Sequence, residues 1–161
     1  MLRENSHRFD LDWRTKGYVT PVKDQGQQGS KAAFAVTGAV EGQHFNATGT
    51  LISLSENNLI DCVPMTPCGD FEIDEAFEYI IKNGGIDSES GYPYEAGCQC
   101  RFDPANIGAK ISSYHDIPPK DENALQEAVA TIGPISVAID ASHSSFQLYR
   151  SGGKYFFLVF L

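Results

Sequence analysis

Residues 30–49 read SKAAFAVTGAVEGQHFNATG, and the organisation of the chain is worked out from this stretch. Ser30 is a residue type that caps a helix, because its hydroxyl can accept a hydrogen bond from an otherwise unpaired amide of the first turn. Phe34, Gly38, Gly42 and Phe45 then recur near one face at helical spacing. Thr48-Gly49 ends the run, with glycine where a left-handed C-cap is favoured. The spacing predicts a long helix, and the chain around it follows from the same reasoning.

Upstream, residues 11–29 hold Gly17, Pro21, Gly26 and Gly29 with little periodicity, so an extended loop leads into the helix. Downstream, Ser55 precedes a short apolar-periodic run and starts a second helix. A third is expected from Ile73 to Lys82, with Ile73, Phe77 and Ile80 or Ile81 turned inward and Asn83-Gly84-Gly85 closing it. Residues 91–104 read as irregular loop. The character then changes. Residues 111–117 (ISSYHDI) look strand-like, residues 122–131 form a short helix, and residues 133–139 (GPISVAI) alternate as a half-buried strand does. Helices early and strands late point to an α+β fold of two lobes meeting near residue 110.

The chain of 161 residues is long enough for one domain with a core, and its composition is that of a globular protein: 42% hydrophobic and 20% charged. A formal net charge of -9 repels phosphate backbones, which excludes nucleic acid as the expected partner. The longest uncharged apolar run, residues 155–161, is far short of the ~20 residues of a membrane-spanning helix, so no membrane partner is expected. The first eight residues are polar and contain no apolar centre, so no secretory signal is expected in them. Cys62, Cys68, Cys98 and Cys100 lack the two-residue C-x-x-C gap of zinc sites and have no matching histidines. Disulfides are the better reading, with no metal and no cofactor.

Four segments resemble the papain family of cysteine peptidases, in its cathepsin L-like branch: residues 12–26 (DWRTKGYVTPVKDQG), 54–62 (LSENNLIDC), 83–94 (NGGIDSESGYPY) and 133–146 (GPISVAIDASHSSF). They occur in order and extend the resemblance over about residues 9–152. It implies a papain-like fold at residues 9–161. A mainly helical left lobe would occupy residues 9–110 and an incomplete antiparallel β-barrel lobe residues 111–161, after an extension of residues 1–8. It implies a cysteine-type peptidase active in proteolysis, lysosomal or extracellular, although no signal or prosegment is written in this chain.

The family's catalytic run is Gln-Gly-x-Cys-Gly-Ser-Cys-Trp; here it reads Gln25-Gly26-Gln27-Gln28-Gly29-Ser30-Lys31-Ala32. By resemblance Gln25 keeps the oxyanion-hole position, where its amide would donate to a tetrahedral intermediate. Gln28 replaces a disulfide cysteine, Lys31 replaces the nucleophile, and Ala32 replaces the tryptophan that shields the histidine. A thiolate at a helix N-terminus is stabilised by the dipole and by an imidazolium partner. A lysine there puts a cation at the positive end of the dipole, and its usual product with carbonyls is a Schiff base rather than hydrolysis. A solvated side chain in an open cleft is the simpler expectation for Lys31.

The partner histidine and asparagine are expected roughly 130 residues downstream of the nucleophile, where this chain ends. His7, His44 and His115 do not fit the role, and His143 reads as a loop residue upstream of it. The tail, residues 153–161 (GKYFFLVFL), departs from the family, so a shortened product is expected. The cleft wall differs too: the family's Cys-Asn-Gly-Gly becomes Cys68-Gly69-Asp70-Phe71, and Asp70 and Phe71 would crowd the approach of a peptide backbone. The resemblance pairs Cys62 with Cys100. Cys68 has lost its family partner and is either free or paired with Cys98. Asn46-Ala47-Thr48 is an N-glycosylation triplet.

The function expected is that of a catalytically inactive cathepsin L-like homologue. The alternatives are a non-catalytic binding or decoy module taking peptide or protein ligands in the cleft, a gene product without independent function, and an enzyme of unusual chemistry. Oligomeric state is not legible.

Overall fold

The structure is a computed structural model, and it describes residues 11–27, 29–64, 68, 71–95, 97–142, 146 and 148. The expected long helix is α1, Lys31–Thr48. Ser30 caps it, its hydroxyl accepting from the Ala33 amide, and Gly49 closes it in the left-handed region at φ 72°. The second helix, α2 (Glu56–Cys62), starts on Ser55, whose hydroxyl accepts from the Asn58 amide. α3 (Ile73–Asn83) opens with a reciprocal pair in which Glu72 and Glu75 each accept from the other's backbone amide. β1 (Ile86–Asp87), a single 3-10 turn (Pro104–Asn106), β2 (Ile107–Ala109) and α4 (Glu122–Thr131) follow. β1 and β2 pair antiparallel, Ile86 opposite Ala109, and Leu54 forms an isolated bridge with Ser88.

α1 packs against both α2 and α3, and the core lies between them. Its buried residues are Ala32, Ala33, Val36, Thr37, Val40, Glu41 and Gly42; of the Phe34, Gly38, Gly42 and Phe45 face read from the sequence only Gly42 is among them, and the other three are partly covered. The reason is Glu41. A 1% exposed carboxylate on the inner face disguises the stripe, and it is tolerated because Lys23 neutralises it.

α2 reads as polar, yet Glu56, Asn57 and Asn58 are all buried. Each has partners. Asn58 donates to the Tyr79 hydroxyl at 3.2 Å and accepts from the Asp87 amide at 3.0 Å, joining α2 to α3 and β1. Burial pushes the Tyr79 phenol up to about 12, against the opposing effect of that Asn58 hydrogen bond.

The late segments differ from expectation. Residues 111–117 and 133–139 form no strand, and the one sheet among the described residues is the short β1–β2 pair rather than a barrel. A strand needs a ladder partner, and these segments bond elsewhere. Tyr114 stacks on Phe77 of α3 at 5.4 Å, and the Ser136 hydroxyl donates to the Ala35 carbonyl of α1 at 2.8 Å. Gln43 of α1 donates to the Ile132 carbonyl, and the Trp13 indole donates to the Val129 carbonyl at the end of α4. Pro134 lies so close to α1 that a Cβ on Gly42 would come 2.8 Å from its Cδ. The face holding Ile132, Val137 and Ile139 is exposed at 44–50%.

Gly85 joins α3 to β1 at φ 150°, and a Cβ there would meet Ile107 at 2.8 Å and the Ala109 carbonyl oxygen at 3.0 Å. Gly85→Ala is therefore expected to destabilise the protein by about 1–3 kcal/mol through strain and overpacking. Chemical denaturation checks this; an unchanged midpoint would show that β2 yields freely.

Candidate active site

Lys31 is the first residue of α1, and the two turns before it shape what surrounds it. The Asp24 carboxylate accepts from the Gly26 amide at 2.8 Å and tightens the bend. The Gln25 carbonyl then accepts from the Gly29 amide at 3.2 Å and from the Tyr94 hydroxyl at 2.8 Å. Tyr94 is itself held edge-on against Phe34 of α1. The backbone of Gln25 is thus fixed from two sides while its side chain stays exposed. Gly29, at φ 52°, brings the chain back to the helix start, and a Cβ on it would touch the Gln25 amide nitrogen at 3.4 Å.

These residues line a cavity of about 570 Å³, which gathers Gln25, Gly29, Ser30, Lys31 and Ala32 on one side, and Cys68, Phe71 and Glu72 on the other. Lys31 is exposed, and no carboxylate among the described residues forms an ion pair with it. The first turn of α1 carries no acidic residue. Among the described residues the site therefore presents an ammonium and a carboxamide beside the N-terminus of α1, an arrangement that attracts oxygen acceptors. Phe71 lines the cavity while its bulk sits in the hydrophobic core at 7% exposure. Gly69, Asp70, Gln28 and His143 lie outside the described residues. His44 lies on α1 along a different cavity, and His115 is an exposed loop residue.

All four cysteines are in disulfides. Cys62 is bonded to Cys100, with Cα atoms 4.7 Å apart, and Cys68 to Cys98, at 5.1 Å. The second bond ties the cavity wall at Cys68 to the loop beyond Tyr94. Cys68 holds a left-handed φ of 77° there. Among the described residues no cluster of three His, Cys, Asp or Glu side chains is placed to hold a metal.

Sequence reasoning missed the group that supports this site. The Lys23 ammonium donates to Glu41 at 2.7 Å, to Glu56 at 2.6 Å and to the Leu54 carbonyl at 3.2 Å. Thr20 and the Leu54 amide also donate to Glu41, and Thr37 donates to Glu56. Burial works against the Lys23 charge, but the hydrogen bonds it donates to Glu41 and Glu56 outweigh this and hold its pKa above the usual lysine value. Lys23 lies two residues before Gln25, so the network anchors the Gln25 loop to α1 and α2. The only signal in the sequence was a pair of glutamates where periodicity asks for apolar residues.

The arrangement of a capped central helix, a glutamine-bearing loop at its start and a wall beyond the second helix can be set against known proteins. The papain family cysteine protease pattern matches residues 8–155. The chain belongs to the papain family. This family member is 56% identical over 149 residues to a cathepsin L-like peptidase of Aedes aegypti, covering 90% of this chain and 44% of that protein. It is 53% identical over 146 residues to cathepsin L2 of Homo sapiens, covering 88% and 44%. Among solved structures, the digestive procathepsin L2 proteinase of Tenebrio molitor larval midgut superimposes with a TM-score of 0.82 at 46% identity, over 90% of this chain and 47% of that one. The papain-like, α+β, cathepsin L-like reading is therefore established for this family member. The chain spans less than half the length of these relatives.

Proposed function

We propose that this papain-family chain does not hydrolyse peptides and that its cleft serves as a binding site for peptide or protein segments. The observation that carries the reading is that all four cysteines are in disulfides while an ammonium occupies the first position of α1. Cysteine-type acyl transfer begins with a thiolate, and this chain has no thiol to ionise. Lys31 and the exposed Gln25 amide remain available to bind acceptor oxygens, which supports recognition without turnover. The reading divides the domain into a helical lobe at residues 9–110 and a second lobe at residues 111–161. It places the protein in a lysosomal or extracellular setting, where two disulfides persist.

The test uses purified chain with a fluorogenic dipeptidyl amide. No release of fluorophore above the blank is expected, together with saturable binding of the same amide by calorimetry. Mass spectrometry after iodoacetamide treatment without reductant should find no alkylated residue, against one in Lys31→Cys. Hydrolysis by the native chain that survives alkylation would overturn the reading.

A further inference from the structure

We infer that Asn46 is an acceptor for N-linked glycan, placed at the end of α1 away from the cleft. The sequence contains one Asn-x-Ser/Thr triplet, Asn46-Ala47-Thr48. The fold puts it in the open: Asn46 through Thr50 are five consecutive exposed residues at the last turn of α1 and its cap. Triplets of this kind also arise by chance, and what the fold adds is an exposed position where the folded protein accommodates the attached glycan.

The Asn46 carboxamide is oriented by one contact. The Tyr18 hydroxyl donates to Asn46 Oδ1 at 2.8 Å, and Tyr18 is itself wedged between Trp13 and Phe45, with ring centroids 4.6 and 5.0 Å away. Fixing Oδ1 toward the protein turns Nδ2 outward, and no hydrogen bond from Nδ2 occurs among the described residues. Glycan transfer uses that nitrogen. Nδ2 forms a C–N bond to the anomeric carbon of an oligosaccharide carried on a lipid pyrophosphate. The anomeric C–O bond breaks, the lipid pyrophosphate leaves with the electron pair, and one Nδ2 proton is released. Oδ1 is untouched, so the Tyr18 hydrogen bond survives and the folded structure accommodates the product.

The location keeps the modification compatible with the site. Asn46 lies fifteen residues along α1 from Lys31, roughly 22 Å at the helical rise, so a glycan there leaves the cleft open. The inference rests on the lysosomal or extracellular setting proposed above, because only a chain entering the secretory pathway meets the glycan donor. Both disulfides agree with that route.

The experiment translates the full chain behind a cleavable secretory leader in the presence of endoplasmic reticulum microsomes. Transfer precedes folding, so variants that fold poorly are still read. One discrete upward band shift is expected in the protease-protected fraction, removed by endoglycosidase H. It should vanish in Asn46→Gln and Thr48→Ala and persist in Thr48→Ser. A protected, leader-cleaved chain with no endoglycosidase-sensitive species overturns the inference, as does a shift that persists in Asn46→Gln. Because the leader is supplied, this outcome is separate from the setting itself. Cytosolic recovery of the chain from its own cells, with a positive microsome result, would count against the setting alone.

Discussion

Reduction of both disulfides is expected to cost about 6 kcal/mol of stability, a large share of the roughly 5–15 kcal/mol that holds a domain folded. The two bonds are nested: Cys62–Cys100 spans 38 residues and Cys68–Cys98 lies inside it at a separation of 30. With either bond intact, the other closes only a ring of roughly ten residues, for which loop entropy amounts to about 2.7 kcal/mol. Removing the second bond then frees the whole loop and costs about 3.6–3.9 kcal/mol more. Paired Cys→Ala variants should therefore each lose about 2–3 kcal/mol, and the quadruple variant slightly more than their sum. Guanidinium unfolding of oxidised, singly bridged and fully reduced, alkylated chain measures this. A reduced chain that keeps the midpoint of the oxidised one would show that the disulfides tie together segments already ordered in the denatured state.

Lys23→Met is expected to destabilise the protein by about 3–5 kcal/mol, because it leaves two buried carboxylates without their counter-ion. Glu41 and Glu56 are only 1% and 2% exposed, and the Lys23 side chain is 22% exposed, so water cannot replace the ammonium. The triple variant Lys23→Met, Glu41→Gln, Glu56→Gln should recover part of the loss, since it removes the uncompensated charge as well as the pair. The pH dependence has a defined sign. The folded state raises the Lys23 pKa, so its contribution is complete below the unfolded value of about 10.4 and is lost as pH rises through the higher folded value. The gap between native and Lys23→Met chains in urea midpoints should be constant up to about pH 10 and narrow above it. A gap that widens in strong alkali would refute the assignment.

The parts of the fold legible in the sequence are those whose signals are local. Ser30 and Gly49 bracket α1, Ser55 starts α2, and Gly84 closes α3, because caps satisfy amides and carbonyls within a few residues. The position of Lys31 at the head of α1, beside the Gln25 loop, was legible for the same reason. The face on which α1 is buried was not, since Glu41 interrupts the apolar stripe. Nor was the fate of residues 111–117 and 133–139: alternation shows that a segment can be a strand, but a ladder exists only if a neighbour supplies it.

The sequence by itself therefore determined the helices, the family and a lysine at the head of α1, all properties of contiguous residues. Tertiary structure alone decided which distant groups meet. It paired Cys68 with Cys98, and it brought Lys23 to carboxylates 18 and 33 residues away. A buried charge is stable only when its partner arrives with the fold, so no local pattern announces the pair.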